Sequence, residues 1–296
     1  MTIRVQDAAR LIVLAMIWSA SFVLIRVLVP AIGPAWVAAG RLLIAGAALV
    51  LGLAALRVHA DVTAHWRAYL FVGVVNSSAP FLLWGYAAVH LPASYLVILN
   101  ATTPLFGAVV AALVLGDRLH AIKLVGLSAG IVGVALVTRA VPTTADASFA
   151  WALLAGLAAA LCYALSAVWL KRNGRGLAPM GIAAWSQLFG GLVLLPFALP
   201  SHVAGPIGTN QVVDLLLLAL VCSGIAYILY YRLVRDIGPT RALTVTFLMP
   251  AFGMVWGAWL LDERITAGMI VGAALILAGT AAVLRPARVP ARVAAA

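Results

Sequence analysis

Asn100, Thr103, Gly107 and Ala111 fall at i, i+3, i+7 and i+11, and Thr246, Met249, Gly253 and Gly257 repeat that spacing 146 positions later. At 3.6 residues per turn each set makes one small, partly polar stripe on a helix. Stripes of this kind either let two helices approach closely or line a polar cavity. Asn76, Pro80 and Trp84 share a second face, with Ser77 beside them. Aromatic residues gather at Trp18 and Phe22, Phe81 and Trp84, Tyr163 and Trp169, and Tyr227, Tyr230 and Tyr231. Trp18, Trp84, Tyr163 and Tyr227 lie too deep in their apolar stretches for an interfacial belt. A pocket of these with Asn100 and Ser166 suits a flat, apolar organic molecule with a polar head.

Arg41 lies about 9 Å along a helix from one end of its apolar stretch, at 1.5 Å per residue. It either extends its guanidinium back to the interface or attracts a substrate carboxylate. Pro80, Pro104 and Pro250 are candidate hinges, because proline inside a helix frees the carbonyl one turn earlier. The acids all map to segment ends or loops, so a buried-carboxylate proton relay is not expected. Five dispersed histidines and two isolated cysteines, Cys162 and Cys222, supply neither a catalytic constellation nor a metal set. No catalytic residue, metal or cofactor is expected, and an intramembrane enzyme is the weaker alternative class.

These residues need a frame, and composition says which one. Of the 296 residues 65% are hydrophobic and 9% charged, far from the ~25% charged of soluble domains. The net charge of +11 is spread between apolar segments rather than concentrated, which argues against a nucleic-acid partner and for a topology signal. Apolar stretches of about twenty residues, enough to cross about 30 Å of hydrocarbon, predict ten helices: 11–29, 35–56, 68–89, 93–115, 121–139, 150–171, 179–199, 212–234, 239–260 and 266–285. Counted on alternate sides, fifteen Lys and Arg fall on one face and four on or near the other. That asymmetry places both termini in the cytoplasm.

The chain is also duplicated. Offset by 146, Pro104, Phe106, Gly107 and Val109 match Pro250, Phe252, Gly253 and Val255, and thirteen of the thirty-four positions from 104 to 137 are identical. An offset of 145 aligns Pro34, Ala38, Ala39, Leu43, Gly46 and Leu49 with Pro179, Ala183, Ala184, Leu188, Gly191 and Leu194. Five helices per copy predict two oppositely oriented repeats around a central cavity, residues 1–139 and 149–285, followed by a cytoplasmic tail, 286–296. Alternating-access transporters are built this way.

Trp18-Ser19-Ala20-Ser21-Phe22, Arg41-Leu42, Pro104 and Leu261-Asp262-Glu263-Arg264-Ile265 together resemble the drug/metabolite transporter superfamily, ten-helix EamA type, over nearly the whole chain. An acid precedes Arg after the fourth and ninth helices in that pattern. Asp117 stands where Glu is usual, and Glu263 fits. The resemblance implies a bacterial inner-membrane exporter of small metabolites, with amino acids the commonest substrates, and is nearest to the aromatic amino-acid exporters; drugs or nucleosides are the alternative. Its partners would be a small-molecule substrate and lipid, with the protein working as a monomer. The expected substrate-binding residues are Trp18, Phe22, Asn76, Ser77, Trp84, Asn100, Thr103, Tyr163, Ser166, Tyr227 and Thr246.

Overall fold

The computed structural model describes residues 4–139, 147–201, 203 and 205–284. The expected tail, 286–296, lies outside them. Among the described residues the chain is helical without strands. The first helical stretch, Val5–Ala55, would be about 76 Å long at 1.5 Å per residue, more than twice the hydrocarbon thickness. It is broken at Gly33, which takes φ 79° and ψ 156°. Only glycine adopts that conformation without strain, and Pro30 and Pro34 flank it. We number the two parts α1 (5–32) and α2 (34–55).

The remaining helices are α3 (Val62–His90), α4 (Ala93–Leu115), α5 (Ala121–Arg139), α6 (Ala147–Asn173), α7 (Pro179–Ala198), α8 (Thr209–Ile237), α9 (Val245–Leu261) and α10 (Ala267–Val283). The uninterrupted stretches up to α8 are long and apolar enough to span a membrane; α9 and α10 are apolar and shorter. Several helices run past the expected bounds, α1 by six residues and α8 by three at each end. The extra turns carry polar residues, which a hydropathy window leaves out although they continue the helix into the interface.

Two helix pairs pack most closely across the two copies. Gly126 of α5 meets Gly279 of α10 backbone to backbone, and a Cβ on Gly133 would come within 2.7 Å of the Gly272 carbonyl oxygen. As the number rises in α5 it falls in α10, so the two are antiparallel. These four glycines are related by the offset of 146, and the offset exchanges one contact for the other. The pair α2 and α7 behaves alike: Gly46 abuts Leu188, and Gly191 abuts Leu43, again antiparallel and again exchanged by the offset of 145. Small residues permit such close approach in a bundle that gains little from burying apolar surface away from lipid.

The third helix of each copy carries a π-helical segment, Val74–Ser78 in α3 and Leu217–Ile225 in α8. Ser78 and Ser223, 145 apart, each donate to the carbonyl five residues earlier, that of Gly73 and that of Leu218. Wide turns of this type recur at functional sites.

The three prolines stand in different settings. Pro250 lies inside α9, but Pro80 and Pro104 occupy the first turn of the α-helical stretches Ala79–His90 and Thr103–Leu115. For Pro104 the missing N–H costs little, whereas Pro80 follows the π turn within the unbroken α3 and removes a main-chain hydrogen bond there. In α4 the helix is interrupted just before, at Ala101 and Thr102.

Candidate functional site

Arg41 is 95% removed from solvent and does not reach back to an interface: its Nε donates to Ser223 Oγ of α8 at 2.7 Å. Its guanidinium carbon lies 4.0 Å from the centroid of Phe81 on α3, close enough for a cation–π attraction. Tyr163 of α6 and Tyr227 of α8 stand within electrostatic reach of the same charge. Four helices thus converge on one cation.

Aromatic rings extend the cluster. Trp18 packs against Tyr227 at 6.2 Å and Tyr230 at 5.4 Å, and Phe22 meets Trp84 edge-on at 5.2 Å. Tyr163 neighbours Trp84, and Asn76 neighbours the Tyr227 hydroxyl. Trp84 is 1% exposed, whereas Trp18, Asn76, Tyr163, Tyr227 and Tyr230 are only partly buried.

Three buried polar atoms of the expected site residues have no hydrogen-bond partner, Ser77 Oγ, Asn100 Oδ1 and Ser166 Oγ, while Trp84 Nε1 has the Tyr163 hydroxyl beside it. Leaving such a group unmet costs about 1–3 kcal/mol, and most buried polar groups avoid it. All of these residues are among the expected substrate-binding residues. Thr103 and Thr246 behave differently, turning their hydroxyls onto their own helices at the carbonyls of Asn100 and Leu243, 2.8 Å in each case. Ser223 and Tyr230 were missed as site residues. The offset of 145 from Ser78 to Ser223 was a signal that would have drawn attention to α8.

The acids need one correction. Asp7 was expected at a segment end, and it is there, but it is 1% exposed and clamped between Arg4 and Arg10 at 3.1 Å each. Arg10 also reaches Asp236 at 2.8 Å, tying the start of α1 to the end of α8.

At the opposite end Glu263 closes over the first turn of α4. Its Oε1 accepts from the Ala93 amide at 2.6 Å, and its Oε2 accepts from the Ser94 amide at 3.0 Å and from the Ser94 hydroxyl. A carboxylate at a helix N-terminus also meets the positive end of the helix dipole. Beside it lies a cleft of about 390 Å³ lined by Arg26, Val27, Pro30, Pro92, Leu261 and Glu263. The offset of 146 carries Glu263 to Asp117, which instead makes an exposed pair with Lys171 at 3.5 Å.

The packing of α4 and α9 shows the same one-sidedness. Near Glu263 a Cβ on Gly253 would come within 2.8 Å of Val97, and one on Gly257 within 3.3 Å of Ser94. Carried over by the offset, the first contact would join Leu243 to Gly107. Gly107 has nothing within 4 Å of a would-be Cβ, and this half of α4 packs on α6 and α10. The α4–α9 contact is made at the Glu263 end and not at the Asp117 end, where α1 and α8 stay tied through Arg10 and Asp236.

The profile of the EamA-like transporter family matches residues 8–139 and again 150–285. The chain belongs to the EamA-like transporter family. It is 24% identical over 289 residues to a probable amino-acid metabolite efflux pump of Escherichia coli, covering 93% of each chain. It is 25% identical over 269 residues to a probable terminal-alkyne amino-acid exporter of Streptantibioticus cattleyicolor, covering 91% of this chain and 90% of that one. A protein of known crystal structure superposes with a TM-score of 0.67 at 19% identity, over 95% of this chain and 96% of that chain; this is a likeness of fold. As an EamA-like protein the chain is a multi-pass membrane transporter, and the chamber around Arg41 and Trp84 is read in that light.

Proposed function

We propose that this EamA-like protein exports amino-acid-derived metabolites with aromatic side chains across a bacterial inner membrane, by alternating access between two oppositely oriented five-helix repeats. In this reading ten helices cross the membrane, residues 1–139 and 149–285 form the copies, and both termini are cytoplasmic. Substrate sits in the chamber between α1, α2, α3, α6 and α8. The observation that carries the proposal is the one-sided α4–α9 contact: present at the Glu263 end and absent at its repeat-related place, it is the kind of difference that two states exchanged by the repeat would show.

The antiparallel self-pairing of α5 with α10 and of α2 with α7 supports the opposed orientation. The three unmet polar atoms and the aromatic walls support the site, where Trp18, Phe22, Trp84, Tyr163 and Tyr227 would enclose a ring and Asn76, Ser77, Asn100 and Ser166 would meet its polar atoms. The interruption before Pro104, the π turn before Pro80 and the helix interior at Pro250 are the places where α4, α3 and α9 would flex. Amino-acid metabolites are the cargo in the names of two relatives, and the aromatic preference rests on the chamber.

Uptake of radiolabelled aromatic and aliphatic amino acids into liposomes containing the purified protein tests this. Saturable aromatic uptake that falls in Trp84→Ala and Asn100→Ala is expected. Absence of uptake from folded protein would turn the search to drugs, nucleosides or sugars.

A further inference from the structure

Among the described residues only Asp7 and Arg41 are both charged and buried, and they are far apart in role. Asp7 is matched twice at the end of α1, whereas no acid pairs with Arg41. Its known contacts are one hydroxyl and one ring face, and a guanidinium has five N–H donors in a planar fork. A buried charge left without an opposite charge is strongly unfavourable.

The repeat sharpens the point. The π turn and its serine occur in both copies, at Ser78 and Ser223. The arginine does not: the offset of 145 places Ser186 opposite Arg41, and Ser186 turns its hydroxyl onto its own helix at the Ile182 carbonyl. In the first copy Ser78 reaches across to the Gly190 carbonyl at 2.8 Å, an ordinary interhelical bond. Packing alone is therefore achieved without a cation. Arg41 breaks a symmetry that the rest of the element keeps, and it does so beside the aromatic chamber.

We propose that the preferred substrate is a monoanion, an aromatic carboxylate whose amino group is absent or acylated, held by the Arg41 fork with Ser223 as its brace. The inference rests on the transport reading above and narrows its substrate class. A zwitterion would bring an ammonium into a chamber that offers it aromatic faces and neutral oxygens but no carboxylate. A cation would meet Arg41 directly. An N-acylated aromatic amino acid has neither difficulty.

Thermal unfolding of the purified full-length protein at about pH 6, where an α-amino group is protonated, separates the cases. The probes are N-acetylphenylalanine, phenylalanine and phenylalaninamide, with N-acetylleucine as a fourth. The expected result is stabilisation by N-acetylphenylalanine at a concentration at least roughly tenfold lower than phenylalanine requires, about 1.4 kcal/mol of preference, and none by the amide. Arg41→Gln should abolish the difference. Ser223→Ala, which keeps the charge, should weaken anion binding several-fold and serves if Arg41→Gln does not fold.

Equal binding of phenylalanine, an anion preference that survives in folded Arg41→Gln, or no stabilisation by either anion would overturn the inference. Phenylalanine uptake into liposomes that persists in Arg41→Gln would overturn it while leaving the transporter reading intact. N-Acetylleucine binding as well as N-acetylphenylalanine, both lost in Arg41→Gln, would support the charge assignment and overturn the aromatic preference.

Discussion

Val97 occupies the notch that Gly253 leaves in α9, where even a methyl group would sit 2.8 Å from it. Gly107, at the repeat-related position, faces nothing within 4 Å. Alanine at the two positions should therefore act on opposite states. Gly253→Ala pushes α9 from α4 at the Glu263 end, an overpacking cost of about 1–3 kcal/mol. Gly107→Ala meets no neighbour in the present state and clashes only when the Asp117 end closes. Thermal unfolding should shift down for Gly253→Ala and stay unchanged or rise slightly for Gly107→Ala, while liposome transport slows in both. Unimpaired transport by Gly107→Ala would count against the closing of that end.

Glu263 is the polar half of the same seal. Charge-assisted hydrogen bonds contribute roughly 1.5–3 kcal/mol each, less at a partly exposed helix end, so losing the charge in Glu263→Gln should move the balance of states about tenfold. A cysteine at position 97, in a chain whose Cys162 and Cys222 are replaced, reports it: a membrane-impermeant maleimide should label it faster in Glu263→Gln. Asp117→Asn, whose acid makes an exposed pair with Lys171 of the kind that contributes little, should leave that rate unchanged. Equal rates in all three would remove Glu263 from the seal.

Part of this was visible in the residues themselves. Pattern located most of the helices, because lipid favours a long apolar run for each crossing, but it did not show the break after Ala242 that puts the start of α9 at Val245 rather than 239. Identity at Gly126, Gly133, Gly272 and Gly279 disclosed the duplication before their contacts were known. The depth of Arg41 was legible too, yet its partner was not, since Ser223 is 182 positions away and only packing brings α2 and α8 together. The sequence likewise weighs Gly107 and Gly253 equally. Which of two equivalent contacts is made belongs to the conformational state, and composition does not encode it.

The glycines of α5 and α10 should be the least tolerant positions in the chain. A side chain at Gly279 would collide with the Gly126 backbone, and backbone cannot step aside as a flexible side chain can. Gly279→Leu should abolish accumulation of folded protein. Gly52→Ala, with open space around it, should be neutral or slightly stabilising, because alanine favours a helix by up to about 1 kcal/mol over glycine. Fluorescence-detected size exclusion of the two variants checks both.

Arg4 and Arg10 make the same 3.1 Å contact with Asp7, yet they should not matter equally. The Arg4 side chain is 69% exposed and that of Arg10 32%, while Asp7 is almost wholly buried. An exposed partner is screened and contributes about 0–1 kcal/mol. Removing Arg10 takes away the better-buried of the two cations and also severs the link to Asp236 on α8. Arg4→Ala should leave thermal unfolding within error of the parent. Arg10→Ala should lower stability by about 1–2 kcal/mol after allowance for its exposure. Restoring a neutral match with Asp7→Asn in the Arg10→Ala background should recover part of the loss. A double variant no more stable than Arg10→Ala alone would locate the effect in Asp236 instead.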